Sequence, residues 1–260
     1  MTRARPRLTQ QERQAQVLAL LRRQGAVRIA TLARTFAVTT ETARRDLDAL
    51  ARSGALQRTY GGGAGRSLID EPGIDIRGRA RAAQRARIGA CAAALVEPGD
   101  ALMIDCGSTT TLFANALAAR ALHLTVLTNC LPAARALGAS AHCRVILCPG
   151  DYVMREGGVY GPHALEFIGR FKANRAFIGA GGLTPDGVTD ADSQGCAIKR
   201  AMIDRADRAI LLLDRSKYDL AQFERVCALP DIDQLVCDAA PPKRLAARLK
   251  AAGVETVLAD

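Results

Sequence analysis

The chain of 260 residues is long enough for two domains. It contains no apolar run of membrane-spanning length, which excludes a membrane protein, and no apolar segment follows its basic first residues, which excludes a secretory signal. We therefore expect a cytoplasmic protein. Its formal net charge of +10 is uneven, because residues 1–87 contain 18 arginines against 7 acidic residues and residues 88–260 contain 18 basic residues against 19 acidic ones. A basic amino-terminal third on a neutral remainder predicts a DNA-binding head on a ligand-sensing body.

Two short amphipathic helices are the first predicted elements. An apolar stripe indicates the first helix, which Gly25 ends. A second stripe with the spacing i, i+3, i+4 and i+7 follows a short break. The two stripes consist of Val17, Leu18 and Leu21, and of Ile29, Leu32, Ala33 and Phe36. Short packed helices of this kind, followed by a third, are typical of a helix-turn-helix.

Residues 37–47 predict a helix that reads DNA. Thr39 is a suitable N-cap, because its hydroxyl can accept a backbone N–H of the first turn. Ala43 and the leucines that follow it share one face, whereas Arg44 and Arg45 lie on or beside the opposite face. Guanidinium groups match phosphate oxygens and the O6/N7 edge of guanine. The alternative is an ordinary amphipathic helix with solvated charges, and the neighbouring elements favour the recognition helix.

A small wing is predicted after this helix. Ser53-Gly54 ends the helix, residues 55–60 alternate as a short strand, and glycines follow at 61–63. Arg58 is expected to lie against DNA phosphate. The predicted DNA-binding residues are Thr39, Thr40, Thr42, Arg44, Arg45 and Arg58.

Residues 8–63 resemble the winged helix-turn-helix of the DeoR family of bacterial transcriptional regulators. The family signature Val-Ser-x-x-Thr-Ile-Arg-Arg-Asp-Leu stands here as Val-Thr-Thr-Glu-Thr-Ala-Arg-Arg-Asp-Leu at 38–47, and Arg-x-His-Gly-Gly-Ala stands as Arg-Thr-Tyr-Gly-Gly-Gly at 58–63. Thr39 in place of serine keeps the cap. Ala43, Tyr60 and Gly63 depart from the pattern, which bears on base preference more than on DNA binding. The resemblance implies double-stranded operator DNA as a partner.

The predicted domains are a winged helix-turn-helix at 1–65, a polar linker at 66–78 and an effector-binding body at 79–260. In the body a helix at 79–96 precedes alternating strands and helices. The predicted strands are Ala101 to Asp105, Leu124 to Leu127, Arg144 to Leu147, Arg175 to Ile178, Ala209 to Leu213, Gln234 to Cys237 and Thr256 to Leu258. The predicted helices are Thr110 to Arg120, Leu131 to Leu137, Ala164 to Phe171, Cys196 to Ala206 and Pro242 to Ala252. The fold class is therefore α/β, with a small winged helix-turn-helix domain joined to a larger domain that has a mainly parallel sheet and helices on both faces.

Polar residues follow four of these strands, at the edge where such sheets bind ligands. After the first strand, Gly107 and several hydroxyls run into a helix, whose free N–H groups and dipole favour phosphate; an ordinary capped helix is the alternative. The glycines after Ile178 lack the spacing of a dinucleotide fingerprint, so no cofactor is expected. The predicted site for a small anionic, hydroxylated effector consists of Asp105, Gly107, Ser108, Thr109, Thr110, Thr128, Asn129, Gly181, Asp190 and Lys217.

The family resemblance extends over residues 79 to about 238, which resemble the DeoR effector domain, similar in fold to ribose-5-phosphate isomerase. The matching segments are Asp105-x-Gly107-Ser108-Thr109, Thr128-Asn129, Gly157-Gly158-x-x-Gly161, residues 179–199 and Asp214-x-Ser216-Lys217. The resemblance implies a repressor of a sugar or polyol catabolic operon that a phosphorylated sugar or polyol releases from DNA. Heads of this kind work as dimers on paired half-sites, so we expect a homo-oligomer.

Two other functions remain open. An isomerase-like enzyme with an accessory head could use Asp190 and Asp192 as a general base, although the Lys-Gly-Gly-Gly loop of the similar isomerases is missing. A redox-responsive regulator could use Cys106. The eight cysteines include no Cys-x-x-Cys and no histidine at zinc-site spacing, so we expect reduced core cysteines and no metal.

Overall fold

The computed structural model describes residues 8–24, 26–52, 56–64, 73–79 and 81–260. The chain divides into two compact units, Met1–Ser67 and Leu68–Asp260, which we call the head and the body. Among the described residues, no helix is both long enough and apolar enough to cross a membrane. The predicted helix ends at Gly25 and Ser53-Gly54, the residue Ala55 and the linker residues 66–72 lie outside the described residues.

The head contains three helices and a small antiparallel sheet within the part that the structure describes. The elements are α1 Gln10–Gln24, β1 Ala26–Arg28, α2 Ile29–Thr35, α3 Thr40–Arg52, β2 Gln57–Thr59 and β3 Gly62–Ala64. The strand order is β1-β3-β2. The predicted apolar stripes form one core, in which Leu32 and Leu47 are almost completely buried. Gly62 is required in β3, because a Cβ there would lie 2.1 Å from the Val27 carbonyl oxygen.

The body alternates helices and strands. Its helices are α4 Ile74–Arg79, α5 Ala82–Ala94, α6 Ser108–Ala118, α7 Leu131–Gly138, α8 Pro162–Gly169, α9 Ser193–Asp204 and α10 Lys243–Ala251, with 3-10 turns at Arg215–Lys217 and Leu229–Asp231. Its strands are β4 Ala101–Ile104, β5 Leu124–Thr128, β6 Cys143–Leu147, β7 Asp151–Val153, β8 Gly158–Tyr160, β9 Ala173–Ile178, β10 Gly182–Thr184, β11 Gly187–Asp190, β12 Ala206–Leu213, β13 Glu224–Cys227, β14 Gln234–Cys237 and β15 Glu255–Leu258.

The main sheet of the body has the order β15-β14-β12-β9-β4-β5-β6, and its neighbouring strands are all parallel. Its members are the seven strands that the sequence predicts. The chain proceeds from β4 outward to β6 and then returns to β9 on the other side of β4. The strand order therefore reverses between β4 and β9, which is where an open α/β sheet leaves a crevice at its carboxyl edge.

Both faces of the main sheet are buried at its central strands, as predicted for a sheet covered by helices, whereas the edge strands β6 and β15 are partly exposed. Successive side chains of a strand point to opposite faces. In β12, Leu211 and Leu213 belong to one hydrophobic cluster, which includes Leu245 and Leu249 of α10. The intervening Leu212 belongs to the other cluster, to which α5 and α6 contribute. Two separate cores therefore fix the sheet between layers of helices.

Several short elements differ from the sequence prediction. β7 pairs with β8, and β10, β11 and β13 form a second small sheet, all antiparallel. These strands have three or four residues each, too few to establish an alternating pattern. The end of the predicted linker is also different, because α4 occupies it: Ile74 is buried in the body and its N–H donates to the Arg155 carbonyl oxygen at 2.9 Å. A helix of six residues is too short to show an apolar periodicity, so the sequence does not predict α4.

Candidate functional site

The recognition helix α3 begins with the cap that the sequence predicts. The Thr42 N–H donates to Thr39 Oγ1 at 3.1 Å, and the two threonine hydroxyls lie 2.9 Å apart. Ala43, Leu47 and Leu50 are buried on the packed face of α3. A fixed first turn and a buried face leave the opposite face of α3 open to a partner.

Exposed arginines occupy that open face. Arg44 and Arg45 both lie near Glu41, at 3.6 and 3.3 Å, and the Arg45 side chain is 78% exposed. Such exposed pairs contribute little to stability, so DNA phosphate or a base edge can replace Glu41 at small cost. Thr39 and Thr40 are exposed at the start of the same helix.

Arg58 is placed differently from the other predicted DNA contacts. Its Nε lies 3.0 Å from Asp48 Oδ1 on α3, and its Nη1 donates to the Gly62 carbonyl oxygen at 2.6 Å. These contacts join the wing to the recognition helix. Arg58 therefore has a structural role in the head beside the predicted phosphate contact.

A buried ion pair fixes α3 against α1. Arg13 Nε lies 2.7 Å from Asp46 Oδ2, and the two side chains are 13% and 4% exposed. Asp46 belongs to the Arg-Arg-Asp-Leu run. Its carboxylate points to the interior while the two preceding arginines remain exposed, so this short run both anchors the helix and presents its cations.

A cavity of about 300 Å³ opens at the carboxyl edge of the main sheet, within the body. It is bordered by the segments that follow β4, β9 and β12, which are neighbours in the sheet. The basic side chains that line it are Arg77, Arg85, Arg155, Lys199 and Lys217, and the acidic ones are Glu156, Asp190, Asp192 and Asp214. Its size lies at the small end of ligand pockets.

The start of α6 faces this cavity. Gly107, the N-cap residue, has no side chain with which to cap the first turn, and helix geometry leaves the first N–H groups without an intrahelical acceptor. Ser108 and Thr109 line the cavity, and Arg85 Nη1 donates to Ser108 Oγ at 2.9 Å. Free N–H groups, hydroxyls and a guanidinium together make a site for an anion.

Asp214 holds Arg85 in this position. Arg85 Nε lies 2.9 Å from Asp214 Oδ2, and both side chains are buried. Burial raises the pKa of the Asp214 carboxyl, but the Arg85 guanidinium and the Ser216 hydroxyl outweigh burial and lower it below its usual value. Asp214 is therefore ionised at neutral pH and orients the guanidinium toward Ser108.

Lys199 of α9 forms the floor of the cavity with two carboxylates. Its Nζ lies 3.1 Å from Asp105 Oδ2 and 3.2 Å from Asp190 Oδ2. Burial lowers the pKa of Lys199, but the carboxylates of Asp190 and Asp105 raise it well above its usual value. Burial also raises the pKa of Asp105, in spite of Lys199. Asp105 additionally accepts from the Gly179 N–H at 3.1 Å, which joins the ends of β4 and β9.

The ten predicted effector residues separate into three groups. Those that line the cavity are Gly107, Ser108, Thr109, Asp190 and Lys217. Asp105 lies behind the lining and contacts it through Lys199. Four residues lie outside the lining: Thr110, Thr128, Asn129 and Gly181.

The polar side chains of that last group donate hydrogen bonds within the protein, whereas Asn129 Oδ1 is buried without a hydrogen-bond partner among the described residues. Thr110 Oγ1 donates to the Gly107 carbonyl oxygen at 3.0 Å, Thr128 Oγ1 donates to the Ile104 carbonyl oxygen at 2.6 Å, and Asn129 Nδ2 donates to the Val159 carbonyl oxygen at 3.1 Å. All three are buried. These side chains lie in the loops behind the cavity, and none of the three is part of its lining.

Sequence reasoning missed several cationic lining residues. Arg77 lies in the stretch predicted as linker, and Arg155 lies in the turn between β7 and β8. Arg85 and Lys199 carry a detectable signal, because each occupies the apolar face of its helix: Arg85 with Ile88 and Ala92 of α5, and Lys199 beside the buried residues of α9. A cation at such a position predicts a buried partner or a ligand.

The two alternative functions have little support from this geometry. Asp190 is paired with Lys199, and the Asp192 side chain caps α9 by accepting from the N–H groups of Gln194 and Gly195 at 3.4 and 2.9 Å. Both carboxylates are therefore engaged within the protein. Hydrogen bonding to Cys130, together with burial, raises the pKa of the Cys106 thiol well above its usual value, whereas reactive cysteines need a thiolate.

Comparisons with known proteins match both units of the chain. Residues 80–239 match the family described as the DeoR C terminal sensor domain, and residues 13–66 match the DeoR-like helix-turn-helix domain. The chain is 30% identical over 237 residues to the glycerol-3-phosphate regulon repressor of Escherichia coli K12, which covers 90% of this chain and 93% of that protein. It is 29% identical over 253 residues to the HTH-type transcriptional repressor GlcR of Bacillus subtilis 168, with coverage of 96% and 97%. A solved ribose 5-phosphate isomerase A from Methanocaldococcus jannaschii aligns with 52% of this chain and 53% of its own, at 16% identity and a TM-score of 0.38.

Proposed function

This chain belongs to the DeoR family of DNA-binding transcriptional regulators, and from that premise we propose that it represses a sugar or polyol catabolic operon until a phosphorylated sugar or polyol releases it from the operator. The relatives with similarity over nearly the whole chain are named as repressors, one of them of a glycerol-3-phosphate regulon. The head would bind the operator and the body would bind the effector. Such a regulator acts on the chromosome, in the cytoplasm.

One observation carries the effector part of the proposal: the uncapped start of α6 faces the cavity and is joined there by the Arg85 guanidinium. The N–H groups and the Ser108 hydroxyl would bind the phosphate. Lys217 would add a point charge from the 3-10 turn after β12. Asp190, which also lines the cavity, can accept hydrogen bonds from sugar hydroxyls. A volume of about 300 Å³ suits a small phosphorylated metabolite rather than a nucleotide cofactor.

The open face of α3 supports the DNA part of the proposal. Arg44 and Arg45 would contact bases or phosphates in the major groove, with Thr39, Thr40 and Thr42 against the backbone at the start of the helix. Two such heads on paired half-sites require a homo-oligomer, which we propose forms through the body.

Fluorescence anisotropy on the DNA upstream of the protein's own gene tests the proposal, at fixed salt because phosphate contacts make affinity depend on ionic strength. Glycerol 3-phosphate, ribose 5-phosphate and glucose 6-phosphate are titrated into the complex, with the unphosphorylated compounds as controls. Specific binding that one phosphorylated compound releases is the expected result. Absence of specific binding, together with turnover of a compound in the panel, would instead establish the isomerase-like enzyme.

A further inference from the structure

Helix α4 has two properties that no other described element of the body combines. In the sequence it is the first described element after the head, and it also contributes to the wall of the cavity through Arg77. A regulator of the proposed kind needs a route by which an effector in the body changes the DNA affinity of the head. The position of α4 makes it a candidate for that route.

The following contacts hold α4 on the body. Ile74 is 9% exposed and packs into the larger core cluster, and its N–H donates to the Arg155 carbonyl oxygen at 2.9 Å. Arg77 Nη2 lies 2.5 Å from Glu156 Oε2, and the side chains are 14% and 19% exposed. Arg85 Nη1 donates to the Arg77 carbonyl oxygen. Two of these contacts therefore use charged side chains that also line the effector cavity.

These contacts connect α4 directly to the anion site. The Nη1 atom of Arg85 donates both to Ser108 Oγ, at 2.9 Å, and to the Arg77 carbonyl oxygen. An anion bound at Ser108 and Arg85 therefore competes for the donor that holds the backbone of α4. It also brings negative charge close to Arg77, where it competes with the Glu156 carboxylate.

We propose that α4 is the element through which the effector changes DNA affinity, and that Arg77 exchanges Glu156 for the anionic group of the effector. The inference rests on the proposed function. An effector shifts an equilibrium only by its different affinities for two states. Here the difference arises because Glu156 and the anionic group of the effector compete for Arg77 Nη2.

Glu156→Gln is the decisive variant. The amide keeps the shape of the side chain but removes the charge that holds Arg77, so the attachment of α4 to the body should be weakened without any ligand. We expect operator affinity without effector to fall about fivefold and affinity for the releasing compound of the panel to rise about fivefold, which is the lower end of ordinary allosteric coupling. Addition of that compound should then change operator affinity by a smaller factor than in the wild-type protein.

Arg77→Gln separates exchange from a simple loss of anchoring. This variant should also weaken operator binding, but it should bind the effector compound less tightly than the wild-type protein, because the exchanged contact is gone. Effector affinity therefore moves in opposite directions in the two variants. Glu166→Gln and Arg170→Gln are matched controls, since this 2.5 Å pair on α8 is exposed and neither residue lines the cavity. Both controls should behave as the wild-type protein.

The measurements are calorimetric titrations of the full chain with glycerol 3-phosphate, ribose 5-phosphate and glucose 6-phosphate, together with operator anisotropy. If the wild-type protein binds one compound and releases DNA while Glu156→Gln behaves as Glu166→Gln, the α4 inference is wrong and the proposed function stands. Unchanged effector affinity in Arg77→Gln would likewise exclude the exchange. If the wild-type protein binds operator DNA but none of the three compounds, the proposed function fails for this panel and the α4 inference fails with it.

Discussion

Lys199 balances the negative charges at the floor of the cavity. Its ammonium group lies between the carboxylates of Asp105 and Asp190, and the side chain is 8% exposed. Because its pKa is raised in the folded state, the lysine contributes its full stabilisation below the ordinary lysine pKa of about 10.4. That contribution is lost only as the pH rises through the folded value. At neutral pH, the positive charge of Lys199 therefore compensates the two buried carboxylates.

Replacement of Lys199 by methionine should therefore destabilise the body strongly. The variant leaves two buried carboxylates without their cation, which costs about 3–5 kcal/mol in the free energy of unfolding. The deficit should shrink as the pH falls below neutral, because the pKa of Asp105 is already raised and its protonation removes the uncompensated charge. Urea unfolding at neutral and mildly acidic pH measures both effects. Lys172→Met is the control, since Lys172 and its partner Asp207 are exposed; an equal deficit in both variants would contradict the argument.

Arg45 tests the DNA contact at the same scale. Its side chain is 78% exposed and pairs with the exposed Glu41. Arg45→Ala should weaken operator binding by about 1–3 kcal/mol and relax specificity at one base pair, if the side chain reads a base. Anisotropy with the operator and its single-base variants measures both quantities. Uniform weakening on every sequence would assign Arg45 to phosphate instead.

At the scale of an element, the first turn of α6 carries the proposed phosphate contact. Ser108→Ala removes a hydroxyl that faces the cavity and should reduce effector affinity by about 1.5–3 kcal/mol, the usual contribution of a hydrogen bond to a charged group. Operator affinity without effector should stay unchanged. Thr111→Val is the matched control, because the Thr111 hydroxyl lies in the same turn but donates to the Gly107 carbonyl oxygen. Calorimetric titration compares the two; equal losses would place the phosphate elsewhere.

The elements of this fold differ in how far the sequence predicts them. The central strands of the main sheet are mostly buried on both faces, so their apolar runs, such as residues 209–213 of β12, are visible without any structural information. The strands β7, β8, β10, β11 and β13 and the helix α4 are too short to have a period. Tertiary contacts hold them, as where the Ile74 N–H donates to the Arg155 carbonyl oxygen in the turn between β7 and β8. Long-range contacts of this kind are not encoded in local patterns.

The residues of the candidate site also differ in how far the sequence predicts them. Gly107, Ser108 and Thr109 are predictable because they follow a strand and start a helix, where local geometry alone creates an anion site. Arg77 and Arg155 are not predictable, because they reach the cavity from a short helix and a turn that are distant in sequence. Thr128 has the right residue type after the right strand, yet its hydroxyl bonds to the neighbouring strand at Ile104. For a residue that follows a strand, the sequence predicts that it lies at the edge of the sheet. It does not predict whether the side chain points into the cavity.

At the scale of the whole molecule, the head and the body have separate cores of unequal size. The head core consists of one cluster from its helices and its small sheet, whereas the body has two clusters on the faces of its main sheet. A domain of about 60 residues buries too little surface to be more than marginally stable, and a larger domain buries proportionally more. The division of the chain into two units therefore predicts two steps in unfolding, with the head first.

Differential scanning calorimetry should resolve these two transitions, and each ligand should raise only one of them. A compound that binds the body at 100 times its dissociation constant adds about 2.7 kcal/mol, which corresponds to roughly 5–10 °C in the melting temperature of a domain of this size. Operator DNA should instead raise the lower transition, because it binds the basic head. The unphosphorylated sugar is the control and should leave both transitions in place. A single transition that shifts as a whole with either ligand would mean that the two units unfold as one cooperative structure.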